Sequence, residues 1–178
     1  MKKIIISVLI IAISLSALVS CGNNSKNDYG TKDVTYRDLG ITFTIPSNMR
    51  RMSSESYDFY FYNQLNSIVF TALKVDEDFL KTVDIEGGKT SFEYVDIIIE
   101  KNNFEKDKLY YKYDEERDQH SFRYTYVDSS GYEMFSYIVV TGPKDNLWYI
   151  EMCCNQEDSA TYLQSFKNWQ KSIFTYEE

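Results

Sequence analysis

The sequence predicts an α+β fold class: an antiparallel β-sheet with two main amphipathic helices packed on it. Three observations lead there. Apolar and polar residues alternate through a series of short segments, which is the period of half-buried strands. The links between the later segments are short and polar, as antiparallel neighbours require. Two other stretches repeat their apolar residues every three to four positions, the spacing of helices that lay one face on a sheet.

The elements follow in order. Residues 34–36 and 41–45 flank a turn-like insert at 37–40, and Ile41, Phe43 and Ile45 alternate with Thr42 and Thr44. Pro46 ends this strand, because proline cannot continue a ladder. Residues 57–62 and 67–75, joined by the polar segment 63–66, predict a second hairpin. Thr90 and Glu93 have the spacing of a capping box, in which each side chain satisfies the other's backbone donor. Phe92, Val95 and Ile99 then carry a helix to about Asn102. Four strands are expected at 109–113, 119–127, 132–141 and 147–154, with polar links between them. In the last, Trp148, Ile150, Met152 and Cys154 share one face, and Leu147, Tyr149, Glu151 and Cys153 share the other. A terminal helix spans 159–173, its stripe made of Tyr162, Phe166, Trp169 and Ile173. Glu157 and Asp158 at its start and Lys167 and Lys171 late in it suit the helix dipole. Residues 34–178 thus read as a single domain, large enough to bury roughly two-thirds of its unfolded surface.

The opening segment Gly40-Ile41-Thr42-Phe43-Thr44-Ile45-Pro46 and the closing Lys171-Ser172-Ile173-Phe174 resemble the PsbP-like α/β/α sandwich. The resemblance covers residues 34–178 in element order. It implies a curved antiparallel sheet with helices on its faces, used for binding other proteins. It carries over no functional residue, because no site motif is present to match.

The N-terminus directs the chain elsewhere in the cell. Lys2 and Lys3 precede an uncharged apolar stretch, and small residues lead into Cys21. That is the layout of a secretory signal. Leu18, Val19, Ser20 and Cys21 resemble a bacterial lipobox, which implies cleavage before Cys21 and diacylglycerol on its thiol. Residues 4–19 are too short to span a bilayer, which takes about 20 apolar residues. Residues 1–20 are therefore expected to be a lipoprotein signal peptide, and 21–33, rich in Asn, Ser, Lys and Gly, a lipidated tether. The expected location is the extracytoplasmic face of a bacterial membrane, held through Cys21.

Composition narrows the partners. The formal charge is −8, and it becomes −10 once Lys2 and Lys3 leave with the signal, which contains no acidic residue. Nucleic acid is disfavoured, because phosphate contacts need clustered Lys and Arg. The same charge gives the domain no attraction to anionic lipid, leaving Cys21 as the membrane contact. Cys153 and Cys154 are adjacent, so a bridge between them would need a distorted peptide.

Candidate chemistry is sparse. Gly87-Gly88-Lys89-Thr90 precedes a helix but lacks the earlier glycine of a phosphate loop, so it reads as a turn and N-cap. His120 is the only histidine, which excludes a multi-histidine metal site. It is expected to be solvated or packed at an edge, and no catalytic residue, metal or cofactor is assigned. Asp76-Glu77-Asp78 and Asp114-Glu115-Glu116 read as solvated turns rather than calcium loops. Of the 16 tyrosines, Tyr110, Tyr111, Tyr113, Tyr124, Tyr126, Tyr132 and Tyr137 crowd the later strands; they read either as cross-strand packing beneath a helix or as the candidate binding surface. The expected function is a non-enzymatic module for a protein or peptide partner. The alternatives are a small-ligand or glycan receptor on a tyrosine-rich face, and a hydrolase dependent on His120.

Overall fold

A computed structural model of the chain describes residues 32–177. Cys21, the lipobox and nearly all of the expected tether lie outside these residues. In chain order the elements are β1 (Asp33–Asp38), β2 (Ile41–Pro46), β3 (Arg50–Arg51), β4 (Phe59–Asn63), β5 (Ile68–Lys74), α1 (Glu77–Thr82), α2 (Ser91–Lys101), β6 (Lys112–Asp114), β7 (Gln119–Val127), β8 (Glu133–Thr141), β9 (Trp148–Asn155), α3 (Ser159–Lys171) and β10 (Phe174–Thr175).

The strands form two sheets, where the sequence suggested one. A large sheet runs β3-β4-β5-β9-β8-β7-β6, and a small one runs β1-β2-β10. All pairings are antiparallel. The first hairpin splits off because Ile41, Phe43 and Ile45 are fully buried against the face of the large sheet, not beside its edge. Phe43 is the centre of that contact, its ring 4.7 Å from Phe70 and 5.2 Å from Phe59. The small sheet and α3 share this face, and Phe166, Trp169 and Ile173 join the same core as Phe61, Phe70, Ile150 and Met152. On the opposite face, Leu80 of α1 and Tyr94, Val95, Ile98 and Ile99 of α2 pack over Phe122, Ile138, Val140 and Tyr149. Strand alternation separates the two cores, as the period of two in β9 predicts.

Several elements depart from the sequence reading, among them the short strand β3, which it did not contain. Helix α1 stands where a solvated acidic turn was expected: Asp76 caps it, accepting from the Phe79 amide at 2.7 Å. Its 6 residues bury only Leu80, too few to leave a helical period. The expected strand at 109–113 is displaced to Lys112–Asp114, because residues 106–108 form a 3₁₀ turn and Tyr110 has φ of 48°. The closing helix stops at Lys171, where Ser172 donates to the Trp169 carbonyl at 2.6 Å and accepts from the Thr44 amide at 2.9 Å. Released from the helix, Phe174 and Thr175 pair with Thr42 and Ile41.

Asn146 fastens this junction. Its amide nitrogen donates to the carbonyls of Gly40 at 2.9 Å and Tyr176 at 3.0 Å, and its oxygen accepts from the Trp148 indole at 2.9 Å. Gly40 is required there: its φ is +82°, and a Cβ would meet the Asn146 side chain at 2.9 Å. The capping box on α2 is present as read from the sequence, with Thr90 as N-cap and Glu93 at N3.

Candidate binding face of the large sheet

Helices α1 and α2 cover only part of their face of the large sheet. Beyond them, strand register lines up Tyr62, Val69, Cys153, Ser136 and Tyr124 in one rung. The next rung begins with Tyr60, Thr71 and Glu151 and ends in Ile138 and Phe122, which lie in the helix-covered core. Val69, Thr71, Ser136, Cys153 and Glu151 thus form a buried floor between two tyrosine-bearing strands, β4 and β7, which lie four strand spacings or about 19 Å apart. Tyr60 and Tyr62 stand on one side, Tyr124 and Tyr126 on the other, all half-buried. Tyr57 leans in from the loop before β4, its ring centroid 6.4 Å from that of Tyr60. The residues around it, 52–56 and 58, are exposed.

The floor holds a buried acid. Glu151 is 6% exposed. Its Oε1 accepts from Ser136 Oγ at 2.5 Å, Cys153 Sγ at 3.3 Å and the Tyr124 hydroxyl at 3.4 Å. Its Oε2 accepts from the Tyr149 hydroxyl at 3.3 Å. All four donors are uncharged. Burial raises the Glu151 carboxyl above the ordinary carboxylate range, and these hydrogen bonds offset that only in part. Burial, then the charge of Glu151, raises the Cys153 thiol well above its usual value. Tyr57, Tyr124 and Tyr126 are also raised, first by burial and then by Glu151 and Cys153. A thiol and phenols held this firmly protonated are poor nucleophiles at neutral pH. What the arrangement offers is hydroxyl groups and ring faces.

Cys154 points to the other core, where burial pushes its thiol up to about 12. Both cysteines are free, on opposite faces as strand alternation requires.

The structure scatters the seven tyrosines singled out in the sequence. Tyr124 and Tyr126 lie on the open face. Tyr111 and Tyr113 instead surround His120, and Tyr110 and Tyr132 are exposed in turns. Tyr137 leaves the candidate surface: it is buried under α3 on the opposite face and donates to Gln170 at 2.6 Å. Tyr57, Tyr60 and Tyr62 were missed. The signal for the last two was present, since Phe59 and Phe61 alternate with them and claim the closed core.

Of the two expectations for His120, solvated or packed at an edge, the first is corrected: it is 2% exposed, and it packs beside Tyr113 of the edge strand β6. Tyr113 stacks on it with centroids 4.5 Å apart, the Tyr111 hydroxyl bonds its Nδ1, and Asp118 lies 3.9 Å from its Nε2. Burial lowers its pKa, so it is neutral at pH 7. The nearby Ser91 hydroxyl donates to Asp118 at 3.2 Å rather than to the imidazole. A serine–histidine pair is therefore not assembled among the described residues. Nor do they bring three or more His, Cys, Asp or Glu side chains together as a metal site.

Comparison with known proteins turns on this architecture. No protein-family model matches the chain, and no curated protein sequence matches it. Solved structures do. The cyanobacterial PsbP protein CyanoP of Synechocystis sp. PCC 6803 superposes with a TM-score of 0.54, covering 86% of this chain and 98% of that one at 14% identity. The fold is PsbP-like. The Ran-binding protein Mog1p of Saccharomyces cerevisiae has a TM-score of 0.52 over 83% of this chain and 97% of its own, at 7% identity. A Bacteroides thetaiotaomicron protein has a TM-score of 0.52 over 78% of this chain and 46% of its own, at 13% identity. At such identities the likeness is one of PsbP-like fold alone, as the Gly40–Pro46 and Lys171–Phe174 segments implied. Among the described residues, no helix is long and apolar enough to cross a membrane.

Proposed function

We propose that this chain is a non-enzymatic, lipid-anchored extracytoplasmic domain that grips a protein or peptide on the tyrosine-bearing half of its large sheet. One observation carries the reading. Helices seal the rest of that face, yet Tyr57, Tyr60, Tyr62, Tyr124 and Tyr126 stay half-buried around the buried floor. Tyrosine suits such a face, because it brings a large rigid ring and a hydroxyl to an interface at low entropic cost. The PsbP-like scaffold of yeast Mog1p belongs to a Ran-binding protein, which supports protein recognition as work this fold does. Cys21 and its lipobox support anchoring by lipid, with the acidic domain held off anionic headgroups.

Two measurements test the reading. Affinity capture of the tagged full-length chain from its own cells after mild cross-linking should recover a partner, and Tyr60→Ser with Tyr126→Ser should lower that recovery at least tenfold. Equal recovery by the double variant contradicts the assigned face. For the anchor, Cys21→Ser should move the chain to the soluble fraction; retention in the membrane after a high-salt wash contradicts it.

A further inference from the structure

The outer edge of β7 is open beside a cationic cleft. β7 pairs with β8 along its whole length but with β6 only at residues 119–121. Arg123 turns its amide outward, to the Leu109 carbonyl at 2.9 Å. Backbone direction repeats every two residues along a strand, so Thr125 and Val127 present their amides and carbonyls on the same edge. Both residues are exposed, and among the described residues no strand covers them.

A cleft of about 270 Å³ adjoins this edge, with Lys108, Tyr110, Arg123, Thr125, Phe135 and Gln156 among its walls. The Arg123 guanidinium lies 4.0 Å from the centre of the Tyr110 ring. No carboxylate of the described residues pairs with Arg123, whereas Lys108 pairs with exposed Glu105 at 2.7 Å. Gln156 Oε1 is buried without a hydrogen-bond partner among the described residues.

These features select one class of ligand. Pockets for whole small molecules run from about 300 to 1,000 Å³, so this cleft suits one or two residues of a chain. The guanidinium fork with a second cation beside it suits a carboxylate. The orphan Gln156 oxygen needs an N–H donor, which a simple anion lacks and a peptide backbone supplies. An uncovered strand edge is the surface on which extended peptides add. Antiparallel addition, the pattern of every pairing in this sheet, would bring the peptide's C-terminus to the Arg123 end of the edge.

We infer that the β7 edge takes an extended peptide as an added strand, with the peptide's terminal carboxylate held in the cleft by Arg123 and Lys108. The inference rests on the reading of this chain as a protein- or peptide-binding module, and names the chemistry of one partner segment. The test uses purified full-length chain and two probes, acetyl-Thr-Val-Thr-Val with a free carboxylate and its C-terminal amide. The free acid should bind at least tenfold more tightly than the amide, and should slow hydrogen exchange at the Thr125 and Val127 amides. Arg123→Gln should abolish the difference between probes, and Arg123→Lys should restore part of it. Thr125→Pro removes an outward amide that β8 does not use, and should weaken both probes at least tenfold. Equal binding of the two probes to the unaltered chain overturns the inference, as does no binding of either at millimolar concentration or unchanged exchange at Thr125 and Val127. If these fail while the Tyr60 and Tyr126 substitutions still lower partner capture, the inference falls and the tyrosine face stands.

Discussion

Ser136 Oγ lies 2.5 Å from Oε1 of Glu151, in the floor of the open sheet face. The two belong to neighbouring strands, β8 and β9, and Cys153 lies directly across from Ser136. Every hydrogen bond given to this carboxylate comes from a neutral group, so among the described residues the acid has no counter-cation.

That relationship sets a pH dependence. Burial raises the Glu151 pKa in the folded state above its unfolded value. The unfolded chain therefore loses this proton first, and stability is fullest below the unfolded carboxylate pKa and falls as pH rises through the folded one. Glu151→Gln keeps the shape without the ionisation. At pH 8 it should gain on the order of 1 kcal/mol, or about 2–4 °C in Tm. Its melting curve should also lose the decline this group contributes as pH rises above the ordinary carboxylate range. Thermal unfolding as a function of pH checks both; a variant that melts lower at every pH contradicts the account.

The docking of the small sheet should depend on Phe43. It is fully buried between the sheets, and Phe→Ala at such sites costs about 3–5 kcal/mol through lost transfer energy and the cavity left behind. Urea unfolding of Phe43→Ala should show that loss in its midpoint with no change of slope. A loss under about 1 kcal/mol would mean that the first hairpin is only loosely applied.

Local signals made much of this legible. β7 and the strong alternation of β2 were readable because a half-buried strand writes its burial into a period of two, and α2 because its capping box marks its start. The two-sheet arrangement was not readable, since Ile41, Phe43 and Ile45 pattern identically whether they face a helix or a second sheet. Strand β10 was hidden because Ile173 continues the α3 stripe although the helix has already ended. The open face was half legible: Tyr124 and Tyr126 stood out by number, but Tyr60 and Tyr62 required knowing that β4 pairs with β5 and β5 with β9. The burial of Glu151 and His120 depends on pairings 15 to 80 residues apart, or on neighbouring rings, which no local pattern carries.

The Asn146 junction predicts a local weakness. Asn146→Ala would leave the buried Trp148 indole N–H without its acceptor, which costs about 1–3 kcal/mol. It would also release the Gly40 and Tyr176 carbonyls. Hydrogen exchange at the Tyr176 amide, which bonds the Gly40 carbonyl at 2.9 Å, should accelerate at least tenfold more than at the β8–β9 amides, which speed up only by the loss of global stability. Uniform acceleration across both sheets would show that Asn146 acts on the whole fold rather than on this junction.

The central claim is that the partner sits on the tyrosine-bearing half of the large sheet. Site-specific photocross-linking tests it most directly, with benzoylphenylalanine placed in turn at Tyr62 and Tyr126 on that face, and at the exposed Glu100 of α2 and Thr161 of α3. Illumination of the cells from which the chain comes should give a discrete adduct from Tyr62 and Tyr126 and none from Glu100 or Thr161. An adduct from Glu100 or Thr161 without one from Tyr62 or Tyr126 would contradict the account.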